Sequence, residues 1–204
     1  MSSISVAGDV SGAISIAAPS AAGSGVLTLP TGTDTLVGKA TTDTLTNKSI
    51  AATQLTGTIA ASALPAGSVL QVVNATYSTA TSTTSTSFVT AGLSSAITPI
   101  SASNKVLVTF TTYVSSPSAN SATIATVFRG TVAGTNLGDS LLGFGAAQSA
   151  AVGVTRSVVS GMYLDSPATT SSQTYTVAFR VETGTGLAQA AGAKATITLM
   201  EIQG

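Results

Sequence analysis

The chain has 204 residues, of which only 7% are charged, and its seven basic and seven acidic side chains cancel to a net charge of zero. No clustered Lys and Arg are available to neutralise phosphates, which excludes electrostatic capture of nucleic acid or of an anionic membrane as the main activity. Histidine and cysteine are absent, so disulfides, Cys or His metal sites and every catalytic dyad built on imidazole or thiolate are excluded too.

The chain is apolar without being bulky, with 33 Ala, 20 Gly and 64 Ser or Thr. β-branched Thr and Val suit a pleat, and small residues let backbones approach closely, so an all-β structural or binding protein is expected. Residues 1–30 begin with short alternating runs, Ile4 with Val6 and Ile14 with Ile16, followed by Val26 to Leu29. Gly8, Gly12, Gly23 and Gly25 separate them, which predicts small strands joined by turns. The first basic residue is Lys39, so the basic start of a secretory signal peptide is missing. Pro19 interrupts the apolar stretch from Ile14 to Leu29 well short of a membrane span, and a soluble product without membrane insertion is expected.

Residues 31–67 carry isolated large apolar side chains at Leu36, Leu45, Ile50, Leu55, Ile59 and Leu64 on a Thr-rich background, with Thr33-Asp-Thr-Leu36 repeated as Thr42-Asp-Thr-Leu45. The spacing of four to nine fits neither helical nor strand periodicity, and one apolar residue in about five gives a stripe too thin to close on itself. Three chains side by side can pool such stripes into a narrow shared core, which makes Leu45, Ile50, Leu55, Ile59 and Leu64 the expected contacts of a trimeric stalk. A flexible linker is the alternative reading of the same composition.

All four Tyr and five Phe fall between Tyr77 and Phe179, which sets residues 68–204 apart as the segment able to fold around a core. Pro65 and Gly67 mark a turn before the run Val69 to Val73. Period-two strands are expected at Lys105 to Val114, Ala122 to Arg129 and Gln173 to Val181, where Tyr175, Val177, Phe179 and Val181 share one face. Further runs lie at Val69 to Tyr77, Thr86 to Thr90, Arg156 to Leu164 and Ala193 to Ile202, while Gly143 to Gly153 reads as a loop or an edge. Seven or eight strands bounded by turn clusters predict a jelly-roll-like β-sandwich head.

The run from Gly25 to Ile50, GVLTLPTGTDTLVGKATTDTLTNKSI, resembles a segment of tail-fibre and related virion proteins of tailed bacteriophages. In the head, Thr86 to Val89, Ile97 to Val106, Tyr163 to Thr170, Thr174 to Val177 and Ala195 to Ile202 are similar to C-terminal modules of phage structural proteins. The resemblance implies a homotrimer in the virion, held to other virion proteins by residues 1–30, with a stalk at 31–67 and a sandwich at 68–204 that contacts a host glycan or protein. The chain is short for a long fibre, so a collar, baseplate or capsid-decorating role stands as the alternative, and a polysaccharide-degrading tip as a third.

No catalytic residue, cofactor site or metal site is assigned. Gly32 to Lys39 departs from a phosphate-binding loop, with five residues between its glycines and Ala40 after the lysine. The carboxylates Asp9, Asp34, Asp43, Asp139, Asp165, Glu182 and Glu201 are never adjacent in sequence, although folding can still pair two of them. Asp165 is expected to orient its turn, and Glu201 to face solvent or a neighbouring subunit's base. Arg129 and Arg180, opposite apolar faces, are expected on a solvated outer surface or in an intersubunit ion pair. Tyr113 and Tyr163 are either packed or available to stack on a sugar.

Overall fold

The computed structural model describes residues 3–7, 13–17, 31, 49–54, 56–150 and 154–204. They belong to two units, Met1–Thr56 and Gly57–Gly204. In the first, β1 (Ser3–Ala7) and β2 (Ala13–Ala17) form an antiparallel pair that sets Ile4 opposite Ile16 and Val6 opposite Ile14. The alternating runs at these positions are therefore strands. The run Val26 to Leu29, with Leu36, Leu45 and Leu55, lies outside the described residues.

The second unit is all β apart from short 3-10 turns, and it includes residues 57–67. Its strands are β3 (Val69–Tyr77), β4 (Thr81–Thr83), β5 (Val89–Ile97), β6 (Lys105–Ser116), β7 (Ser121–Arg129), β8 (Thr135–Asn136), β9 (Gly145–Ser149), β10 (Thr155–Asp165), β11 (Gln173–Val181), β12 (Gly186–Ala188) and β13 (Ala195–Ile202). They make two antiparallel sheets. Sheet I is built on β6, with β10 on one edge and β13 then β12 on the other, continued by β3 and β4. Sheet II runs β5, β11, β7, with β8 and β9 sharing the far edge of β7.

The period-two pattern decides what lies between the sheets. Val106, Val108, Phe110 and Val114 of β6, with Ile197 and Leu199 of β13, pack against Tyr175, Val177 and Phe179 of β11, Val127 of β7, and Leu93 and Ile97 of β5. Gly161 in the middle of β10 has a steric cause: a Cβ there would meet the rings of Phe110 and Phe144, which stack edge to face at 5.3 Å. The outer side of sheet II is covered over β7 and most of β11, because residues 136–144 leave the edge of β7 and fold over it. Leu137 and Phe144 donate to Val127 O and Ala125 O, and Thr126 Oγ1 donates to Asn136 Oδ1 at 2.6 Å. Gly143 allows this return, since its φ is +55° and a side chain would collide with Ala125 O.

Burial corrects two expectations. Arg180 is 7% exposed, not solvated. It donates through Nε and Nη2 to Leu141 O at 3.2 and 2.5 Å, and its guanidinium lies 5.6 Å from the Phe88 ring centre. Glu201 also faces inward and is fully buried. It accepts from Gln71 Nε2 at 2.6 Å, Asn104 Nδ2 at 2.5 Å and the amide of Ile100 at 2.7 Å, tying residues 98–104 to the end of sheet I. Burial pushes its carboxyl up, but the donors from Asn104, Gln71, Ile100 and Ser101 outweigh that and hold it below the usual carboxylate range.

At that end the chain enters the sandwich. The amide of Gly67 donates to Gln203 O and that of Gln203 to Ser68 O, so the turn Pro65–Ser68 is clamped to the close of β13. Loops 117–120 and 182–185 lie at the opposite end, braced by buried hydroxyls. Ser116 Oγ donates to Ser121 O, Ser121 Oγ to Thr183 O at 2.6 Å, and Thr123 Oγ1 to Ser115 O.

Replacing Glu201 by Leu strands three donors at once, so a loss of about 3 kcal/mol is expected from the urea midpoint. A depressed native pKa also fixes a pH signature. The wild-type contribution is complete above the unfolded value of 4.5 and falls away as the pH drops through the native one. Glu201→Leu will therefore narrow its deficit against wild type in acid.

Candidate interaction surface

Whereas the outer side of sheet II is covered over β7 and β11, with only the small or polar side chains of β5 and β9 exposed at its edges, the outer face of sheet I is open across four strands. Side chains on this face alternate with the buried set, so register alone determines which of them align. One row across four strands reads Val72, Met200, Leu107, Leu164, and is apolar from edge to edge. The next reads Asn74, Thr198, Thr109, Met162, and the one after it Thr76, Thr196, Thr111, Ser160, followed by Tyr113 beside Val158.

None of these side chains is charged; Lys105 and Arg156 stand only at the two ends of the face. Met162 is 67% exposed, Val158 60%, Val72 57% and Leu164 48%, values that mark an unpartnered apolar surface rather than scattered residues. Over the hydroxyl rows the small side chains leave a shallow depression of about 370 Å³, lined by Thr109, Thr111, Ser160, Met162, Thr196 and Thr198. Asn74 Nδ2 fixes two of these hydroxyls, donating to Thr198 Oγ1 at 2.8 Å and Thr196 Oγ1 at 3.1 Å.

The expected stalk contacts divide. Ile50 and Ile59 are exposed in the single chain and Leu64 is half-buried, whereas Leu45 and Leu55 lie outside the described residues. Tyr113 is half-buried within the outer face of sheet I, and Tyr163 lies 42% exposed on β10.

The ion pair that the sequence left open is intramolecular. Arg129 faces into the sandwich from the end of β7 and reaches Asp165 at the end of β10, with Nη1 3.1 Å from both carboxylate oxygens. Tyr175 OH donates to the same carboxylate at 2.7 Å. Asp165 therefore clasps the two sheets together instead of merely orienting a turn. Burial, then the hydrogen bond and charge of Asp165, push the Tyr175 phenol well above its usual range, with Arg129 opposing.

Register also brings two carboxylates into one row, because Asp165 and Glu201 both pair with Val106 from opposite sides, about 10 Å apart across two strand spacings. Each is buried and saturated with donors, so neither is poised to move a proton to a glycosidic oxygen. Asp139 is exposed and caps its own turn through the amides of Leu141 and Leu142. Among the described residues no group of three or more acidic side chains is placed to hold a metal ion, and no helix is long and apolar enough to cross a membrane.

No protein-family profile matches the chain, and no curated protein matches it at a significant level.

Two measurements test the clasp. Arg129→Met is expected to lower stability by about 2 kcal/mol, less than for a fully buried pair because the Arg129 side chain is 28% exposed. In an alkaline titration followed by ultraviolet absorbance, the Tyr175 phenol should stay protonated past the ordinary value of 10.0. The raised native pKa means that this contribution is whole below 10.0 and is lost as the pH climbs above it.

Proposed function

We propose that this chain is a structural virion protein of a tailed bacteriophage, a tail fibre or related appendage. It assembles as a homotrimer, is held at its N-terminal segment by other virion proteins, and presents the sandwich to the host surface. The observation that carries the reading is the uncharged, exposed outer face of sheet I, a surface of the kind that assembly covers. Exposure of Ile50 and Ile59 in the single chain supports the same view, since a stalk stripe is sheltered only by its neighbours.

The phage assignment draws on the resemblance of residues 25–50 and of the head segments. Chain direction adds a polarity. The polypeptide enters the sandwich beside Gln203, so loops 117–120 and 182–185 form the end of the sandwich opposite that entry point and are, on this reading, the host-facing tip.

The full chain is expected to sediment at three times its 19.8 kDa mass. The pair Leu55→Asp and Ile59→Asp should raise the dissociation constant at least about 100-fold, because unpaired charge is then buried in a narrow apolar stalk. Purified trimer should coat susceptible cells and block infection. Decoration of capsids without binding to cells would move the assignment to a cement protein, and release of reducing ends from host polysaccharide would move it to a depolymerase.

A further inference from the structure

We infer that the outer face of sheet I lies against the rotation axis of the assembly, so that the heads pack on one another through Val72, Met200, Leu107 and Leu164 and the hydroxyl rows beside them. The occupant of the face is a further copy of this chain. The number of copies, three, rests on the reading above, whereas the choice of face does not.

The layering of the face is what selects the occupant. Its rows run perpendicular to the strands, and each is of one character across most of its width: one apolar in all four strands, the next two dominated by hydroxyl or amide. Rotation about an axis parallel to the strands leaves the height of every row unchanged. Each apolar row then meets apolar rows, and each hydroxyl row meets hydroxyl rows. A Ser or Thr hydroxyl both donates and accepts, so identical rows satisfy one another, which a purely apolar partner cannot do. An unrelated protein has no reason to repeat these layers at these heights. A lipid surface would take two rows of hydroxyls out of water and offer them no donor or acceptor beyond the few bonds, such as those of Asn74 to Thr196 and Thr198, that the face makes within itself.

Four strands at about 4.8 Å by nine residues at about 3.3 Å give a flat patch on the order of 600 Å², the low end of what each partner contributes to one pairwise interface, and a threefold axis shares it between two neighbours. Lys105 and Arg156 sit at the ends of the face, where water reaches them, so no charge is buried.

The absence of cysteine makes a direct test available on the full chain. Thr198 lies on one of the two central strands of the face, and Thr131 is exposed on the loop after β7, away from it. A nitroxide on Thr198→Cys should report its counterparts within about 20 Å, because facing sheets pack about 10 Å apart. A nitroxide on Thr131→Cys should report much longer separations. Thr198→Arg, which points outward and leaves the core untouched, should weaken association at least tenfold, and Thr198→Ser should not. A trimeric mass with Thr198 labels far apart overturns this inference and leaves the trimer reading standing. A monomer overturns both, and Thr198 labels immobilised only by vesicles or by a different virion protein would give the face to that occupant.

Discussion

Strand β6 is hydrogen-bonded along both edges, to β10 over eleven consecutive residues and to β13 and then β12 on the other side. The rest of sheet I takes its register from that strand, directly or through β13 and β12. On the inner side its odd-even phase puts Val106, Val108, Phe110 and Val114 into the core, and sets Asp165 and Glu201 level with Val106. On the outer side the same phase lines up the apolar and hydroxyl rows. A one-residue slip would exchange the two sets, bringing Thr109, Thr111 and Tyr113 inside and exposing Phe110, so core burial and surface layering are specified together.

A chain with so few charges buries several of them, and each burial has a structural purpose. Asp165 is held by Arg129 and Tyr175 and joins the end of β10 to β7 and β11. Glu201 collects Gln71, Asn104 and Ile100, and so pins the loop before β6 to the strands on either side of β13. Arg180 holds residues 136–144 against sheet II. In a sandwich with modest aromatic content, these directional contacts fix loops that hydrophobic packing alone would leave loosely specified.

The long strands were legible in the sequence because their alternation is strong. Gln173–Val181 falls where it was expected, and Val69–Tyr77 does too. The short strands were not: β4, β8 and β12 have two or three residues each, and β9 is Gly-Ala-Ala-Gln-Ser, so they exist only because a neighbouring ladder recruits them. The run Thr86 to Thr90 caught the beginning of β5 at Val89, but its continuation through Gly92 to Ile97 was hidden for a similar reason. Alternation also tells which side of a strand a residue occupies, not what lies on that side. Arg180 was placed correctly opposite Tyr175, Val177 and Phe179, yet that side is roofed by residues far along the chain. The outer face of sheet I was invisible altogether, since Val72, Met200, Leu107 and Leu164 become one row only through three pairings between distant segments.

β10 brings these threads to one place. It is an edge strand of eleven residues without lysine, proline or bulge, and its outward side chains Val158, Met162 and Leu164 are largely exposed. Soluble proteins ordinarily blunt such an edge with charge or irregularity, because it is a template for uncontrolled pairing. With a net charge of zero, long-range repulsion offers no substitute protection. The same sequence keeps Asp165 and Glu201 fully partnered, so the bare β10 is the feature that the assembly proposed above would have to shelter.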